Sequence, residues 1–168
     1  MVLHGVAGTG KTFIACYFAF DDMTKGDYEK LVLIRSAVPT RDIGFLPGTE
    51  KEKASVYEEP YKDICIELFQ RGDAYQILKT KGLVHFMTTS FIRGVTLRNA
   101  TIIIDECSMI DVNAIKKCQA ITKPVIYLGD PCQLPPVNED FSEVFHLPDF
   151  DTELVFFNLV QVMRSVDK

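Results

Sequence analysis

Short apolar runs alternate with longer amphipathic stretches along the whole chain. The runs are Val2–His4, Lys30–Arg35, Val84–Thr88, Thr101–Asp105, Val125–Gly129 and Glu153–Phe157, rich in β-branched and aliphatic residues, and they predict strands. Most are nearly all apolar, as strands covered on both faces must be. Between them the spacing predicts helices over Lys11–Met23, Glu50–Arg71, Val112–Gln119 and Phe141–Phe145, with Asp111 placed to cap the third. Such alternation predicts an α/β fold, an open and mostly parallel sheet with helices on both faces. A chain of 168 residues has the length for one core, so a single domain over 1–168 is expected. Residues 36–49 form the one long irregular stretch, rich in Pro and Gly, and a loop of that length is usually functional or mobile.

Composition narrows this picture in three ways. The net charge of −5 gives no basic footprint for holding nucleic acid non-specifically, although a local basic groove stays open. The apolar runs are too short to span a bilayer, so no membrane partner is expected. The five cysteines are scattered without a C-x-x-C pair, and read as small buried hydrophobes of a reducing, cytoplasmic compartment. His4, His85 and His146 are isolated and look structural.

The chemistry concentrates at three places. Gly5-Val6-Ala7-Gly8-Thr9-Gly10-Lys11-Thr12 satisfies G-x-x-x-x-G-K-[ST] between a predicted strand and a predicted helix. Its glycines allow a tight turn whose N–H groups point inward at phosphate oxygens, Lys11 adds a point charge, and the helix N-terminus adds partial positive charge. Thr12 offers a hydroxyl to Mg²⁺. A chance glycine-rich turn is the plainer alternative, and the flanking strand and helix argue against it. Thr101-Ile102-Ile103-Ile104-Asp105-Glu106 drives an apolar strand to the sheet's carboxyl edge and ends it in two carboxylates. Asp105 is expected to hold the Mg²⁺ and Glu106 to polarise an attacking water. Gly129-Asp130-Pro131-Cys132-Gln133 leaves another buried strand, and Gln133 could touch a γ-phosphate or the lytic water; the plainer reading is a proline-stiffened turn.

Taken together these motifs resemble the PhoH-like family of P-loop ATPases, itself similar to one motor domain of the superfamily one helicases. The likeness extends to Ile43-Gly44-Phe45-Leu46-Pro47-Gly48 with the following Glu52, Lys53, Tyr57 and Pro60, and to Phe91-Ile92-Arg93-Gly94-Val95-Thr96-Leu97 leading into Thr101–Glu106. Cys107-Ser108-Met109 and Gln133-Leu134-Pro135-Pro136 look closer to RecD-like helicases. The resemblance implies a RecA-like P-loop fold, ATP as ligand, and Gln133 as the residue coupling phosphate to nucleic acid. It also matches Arg164 to a motif arginine that reaches the γ-phosphate across a boundary, whereas spacing alone reads Arg164 as an exposed charge. Arg93 is a second candidate, with a fold-stabilising ion pair as its alternative.

The expected function is therefore Mg²⁺-dependent ATP binding and hydrolysis, with single-stranded RNA or DNA as a further partner. The expected catalytic residues are Lys11, Glu106, Gln133 and Arg164. A motor of this kind closes two domains around ATP. A chain holding one would either form a homo-oligomer, a hexamer being the first expectation, or hydrolyse slowly. Phe45 and Tyr57 could stack on bases, although packing is their default role. Lys51, Lys53 and Arg41 stand among Glu50, Glu52, Glu58 and Glu59, as on a solvated face. The first strand starts so early that nothing before it could meet a nucleobase, which suggests a shortened form of a longer domain. Two other classes remain: a nucleotide-dependent interaction module in which ATP orders residues 36–49, and a small-molecule kinase, which lacks an evident arginine-rich lid.

Overall fold

A computed structural model describes residues 1–36, 50–89, 92, 97–111, 113, 115, 124–133, 135–136, 140–142, 144–146 and 154–163, with residues 50–54 described in backbone only. In chain order the elements are β1 (Val2–His4), α1 (Lys11–Lys25), β2 (Lys30–Arg35), α2 (Glu50–Phe69), α3 (Ala74–Thr80), β3 (Val84–Thr88), β4 (Ala100–Asp105), β5 (Val125–Gly129) and β6 (Phe156–Asn158). The six strands form one sheet in the order β3-β2-β4-β5-β1-β6, and every pairing is parallel.

Strand alternation divides the core in two. Leu31, Leu33, Ile103, Ile126 and Leu128 face one side, where they meet Ala15, Cys16, Ala19 and Phe20 of α1, Tyr61 and Cys65 of α2, and Ala74 and Tyr75 of α3. Val32, Ile34, Ile102, Ile104, Val125 and Tyr127 face the other, packed with Ile92, Leu97, Cys107, Ile110, Ile115 and Val144. Asn113 and Ile115 are helical, and Asp111 caps them as expected: its carboxylate accepts the Asn113 N–H at 2.9 Å and its carbonyl accepts the Ile115 N–H at 3.2 Å. The rest of the Val112–Gln119 expectation lies outside the described residues. Every residue of β4 and β5 is buried, and each such isoleucine or leucine contributes about 1.5–3 kcal/mol through burial.

Several boundaries differ from the sequence expectation. Helix α1 runs two residues beyond Met23 and closes where the Gly26 and Asp27 amides donate to the Met23 and Asp22 carbonyls. Helix α2 stops at Phe69, two residues short of Arg71, and passes through Pro60; Gln70 then takes a left-handed backbone. The following helix α3 was not expected. The last strand is Phe156–Asn158, not Glu153–Phe157, because three-residue β1 sets which residues can pair: Val2 with Phe156, Leu3 with Phe157, His4 with Asn158. In place of a helix over Phe141–Phe145, residues 144–146 make a 3-10 turn, while Phe141 and Ser142 are non-helical. No described helix is long and apolar enough to cross a membrane.

Cysteine burial is mixed. Cys16, Cys65 and Cys107 are buried free thiols, whereas Cys132 is exposed, against the expectation of buried cysteines throughout. Burial pushes the Cys65 thiol up to about 12, and burial, then the charges of Asp105 and Glu106, raises Cys107. In the native protein a thiol-alkylating reagent is therefore expected to label Cys132 and spare Cys16, Cys65 and Cys107 until denaturant is added. Peptide mass mapping checks this, and native labelling of the buried three would contradict the packing.

The junction after β1 depends on a glycine. Gly5 is buried with φ +148, and a Cβ there would lie 2.2 Å from the Leu159 carbonyl oxygen, in the segment tied to β1 by the Leu159 N–H to His4 carbonyl bond. A Cβ is fixed by its own backbone and the oxygen it meets is backbone too, so the clash cannot be relieved by a rotamer. Gly5→Ala is expected to cost about 2–4 kcal/mol, read as a lowered denaturation midpoint; an unchanged midpoint would mean β1 and β6 are not held this closely.

Candidate functional site

Because all strands run the same way, their carboxyl ends meet along one edge. Moving across it from β1, the loop Gly5–Thr12 comes first, then Asp130–Gln133 after β5, then Asp105 and Glu106 at the end of β4, then Arg35 at the end of β2. The Gly5 amide donates to the Gly129 carbonyl at 3.3 Å, which ties the loop to β5. Strands lie about 4.8 Å apart, so β1 and β4, one strand removed from each other, bring the loop and the carboxylates within about 10 Å.

The loop turns through Gly8 (φ +83) and Gly10 (φ +79). Gly10 precedes α1 in a left-handed conformation that offers no side-chain cap, so the first amides of the helix are uncapped by their own chain end. Among the described residues, no hydrogen-bond acceptor engages the amides of Gly8 through Thr12. Thr9 Oγ1 donates inward to the Val6 carbonyl at 2.9 Å. Lys11 Nζ lies inside the curve, donating to the Gly5 carbonyl at 2.7 Å and the Val6 carbonyl at 2.9 Å. Val6 and Ala7 sit exposed at the tip. Converging amides, a helix N-terminus and an ammonium make a cradle with the donor set that a polyphosphate needs.

Asp105 is buried. Its Oδ2 accepts the Tyr61 hydroxyl at 2.7 Å and its Oδ1 accepts the Glu106 amide at 3.0 Å. Tyr61 is held as a neutral donor, since burial, then the Asp105 charge and hydrogen bond, raises it well above its ordinary range. Glu106 adopts a left-handed backbone, φ 54 and ψ 44, uncommon for a residue with a Cβ and of a kind found at functional sites. Burial, then the neighbouring Asp105 charge, raises its carboxyl above the usual range, while Arg35, Lys11 and the Gln133 side chain oppose that rise. The Arg35 guanidinium is 3.7 Å from Glu106 Oε1.

Gln133 is aimed by a turn in which Asp130 Oδ1 accepts the Cys132 amide at 2.9 Å and the Asp130 carbonyl accepts the Gln133 amide at 3.0 Å. Its Oε1 accepts the Ser108 hydroxyl at 3.3 Å. Lys11, Asp105, Glu106 and Gln133 are thus brought to one place, with Thr12 in the first turn of α1. Arg164, Arg93 and the Ile43–Gly48 segment with its Phe45 lie outside the described residues, as do the side chains of Lys51 and Lys53. The chain before Arg164 is tied to the loop by the Met163 amide, which donates to the Gly8 carbonyl at 2.8 Å. Arg35 and Tyr61 were not singled out from sequence, and Ser108 entered only within the Cys107-Ser108-Met109 resemblance, without a role of its own. Tyr57 carries the Arg35 guanidinium 5.7 Å from its ring centre.

Among the described residues no three His, Cys, Asp or Glu side chains gather as a metal cage. The carboxylate and hydroxyl present suit a hard cation of the Mg²⁺ type, which commonly takes one or two protein oxygens and completes its shell with phosphate and water. With such a cation bound, Asp105 would supply an oxygen and Thr12 the hydroxyl.

The family described as "PhoH-like protein" matches residues 1–140. A PhoH-like protein of Bacillus subtilis is 36% identical over 103 residues, covering 61% of this chain and 32% of its own length. Protein PhoH2 of the same organism is 33% identical over 144 residues, covering 80% and 32%, and Protein PhoH of Escherichia coli is 30% identical over 140 residues, covering 78% and 39%. The chain therefore spans about a third of the length of these relatives. The N-terminal domain of the DNA packaging ATPase from bacteriophage phi29 superposes with a TM-score of 0.47 at 14% identity, over 99% of this chain and 92% of that one. With the glycine-rich loop at the edge of an all-parallel sheet and a family match over 140 of 168 residues, the chain belongs to the PhoH-like family of nucleotide-binding P-loop proteins.

Proposed function

We propose that this domain binds ATP with Mg²⁺ and hydrolyses it, with turnover coupled to single-stranded RNA or DNA. The observation that carries the reading is the convergence of the Lys11 loop, the Asp105–Glu106 pair and Gln133 at one sheet edge. Lys11 and the loop amides from Gly5 to Thr12 hold the phosphates. Thr12 and Asp105 would hold the Mg²⁺, which when bound neutralises charge on the phosphate oxygens. Glu106 orients a water and takes its proton. The water oxygen bonds to the γ-phosphorus, the bond from that phosphorus to the β–γ bridging oxygen breaks, and the products are ADP and inorganic phosphate. Gln133, between Glu106 and Ser108, reports whether the γ-phosphate is present.

The reading extends to assembly. Val155, Phe157, Val160, Val162 and Met163 are exposed around the last strand and the segment after it, an apolar concentration that favours association of copies. A homo-oligomer, a hexamer first, would let Arg164 of one copy complete the site of the next.

Glu106→Gln is expected to keep ATP affinity and lower turnover by about 10²–10⁴-fold, whereas Lys11→Ala should weaken ATP binding by about tenfold or more. Calorimetry and phosphate release measure both; parent-level turnover in Glu106→Gln would refute the assigned role. Phosphate release should rise when single-stranded RNA or DNA is added. Rates equal with and without either nucleic acid would remove the coupling. A monomer by light scattering with ATP present, at full activity, would remove the assembly.

A further inference from the structure

Arg35 lies outside every motif that assigned chemistry to this chain, yet it reaches the centre of the site. It ends β2, paired in register with Asp105, and the following amide, of Ser36, donates to the Asp105 carbonyl at 3.4 Å. These bonds fix its backbone against β4. Its guanidinium stands 3.7 Å from Glu106 Oε1 with both side chains largely shielded, 22% and 32% exposed. The guanidinium also lies over the Tyr57 ring, 5.7 Å from its centre, within the range where a planar cation is held by an aromatic face.

Tyr57 belongs to α2, a helix fixed independently of Arg35. Four residues on, the same helix sends Tyr61 to Asp105, and one residue on, Glu58 receives Lys79 at 2.8 and 2.7 Å and the Tyr75 hydroxyl at 3.2 Å. Arg35 therefore touches both an anchored ring and a carboxylate. Its role would be to restrain Glu106: the left-handed backbone sets the direction of that side chain, and Arg35 together with the Gln133 side chain holds its carboxyl end.

We propose that Arg35, seated on Tyr57, is the positioning residue for Glu106, holding its carboxylate in the orientation that addresses the lytic water. This rests on the reading of Glu106 as the residue that orients water. Arg35 does not reach nucleotide in this role, so its loss acts on the rate of the chemical step and not on nucleotide affinity.

The test is steady-state turnover of the full chain with MgATP, with thermal melting of each variant to establish folding. Arg35→Gln is expected to lower kcat by about ten- to a hundredfold with KM within about threefold of the parent. Arg35→Lys, which keeps the charge but loses the planar stack, should recover part of that loss. Tyr57→Leu should lower kcat as Arg35→Gln does, and Tyr57→Phe, which keeps the ring, should retain most of it. A KM rise with kcat preserved would make Arg35 a phosphate ligand and overturn the proposal, as would an unchanged or increased kcat. Should Arg35→Gln fail to fold, the Tyr57 pair carries the test: equal kcat in Tyr57→Leu and Tyr57→Phe overturns it. The two failures are separable, because parent-level turnover in Glu106→Gln sinks the reading of the site itself, while an inactive Glu106→Gln beside a fully active Arg35→Gln sinks only the positioning role.

Discussion

Strand register across β2, β4, β5 and β1 sets the height of every charged group at the site. Arg35 pairs with Asp105, Ile104 pairs with Tyr127, and Tyr127 pairs with Val2. Following the ladder up one step places Asp105 level with Leu128 and Leu3, and Glu106 then leaves the strand in its left-handed turn. The phosphate loop then opens directly above. A slip of one residue in any of these pairings would turn the side chains of that strand to the opposite face and bury its outward residues. The fully buried β4 and β5 make that slip costly, so the hydrophobic core and the alignment of the site are consequences of the same constraint.

Within that alignment the two adjacent acids live under opposite conditions. Asp105 is buried and accepts a phenolic hydroxyl and an amide, one on each oxygen. Glu106 sits in a backbone conformation that costs about 1–3 kcal/mol for an ordinary residue, with a neighbouring negative charge raising its carboxyl. Arg35, Lys11 and Gln133 oppose that rise from three separate elements: the end of β2, the start of α1 and the turn after β5. Local preference is violated at one residue and compensated by long-range partners, the pattern expected where function and stability conflict.

The parts legible in the sequence were those encoded locally. Strands β2, β3 and β5 were read to their ends because contiguous apolar runs bounded them, and the loop Gly5–Thr12 carries its chemistry in eight consecutive residues. Asp105 and Glu106 were legible because an apolar strand must release its polar residues at an edge. Arg35 and Tyr61 were not, since nothing local distinguishes an arginine ending a strand or a tyrosine inside a helix; Tyr61 meets Asp105 across 44 residues of sequence. Helix α3 was missed because its seven residues are too few to display a period. The last strand was misplaced because its limits come from its partner β1 and not from its own composition.

Helix α2 shows why these unread residues belong together. Tyr57 and Tyr61 are four apart and so share one helical face, one supporting the guanidinium beside Glu106 and the other donating to Asp105. Glu58, pointing elsewhere, fastens the helix to α3 through Lys79 and Tyr75. A displacement of α2 as a body must therefore disturb the partners of both carboxylates at once, whereas a single side-chain change disturbs one. In sequence the same helix begins at residue 50, directly after the long stretch 36–49 that follows Arg35. The elements on either side of that stretch, β2 and α2, are the ones whose side chains hold the paired acids, so a force applied through either flank reaches the carboxylates by a short route.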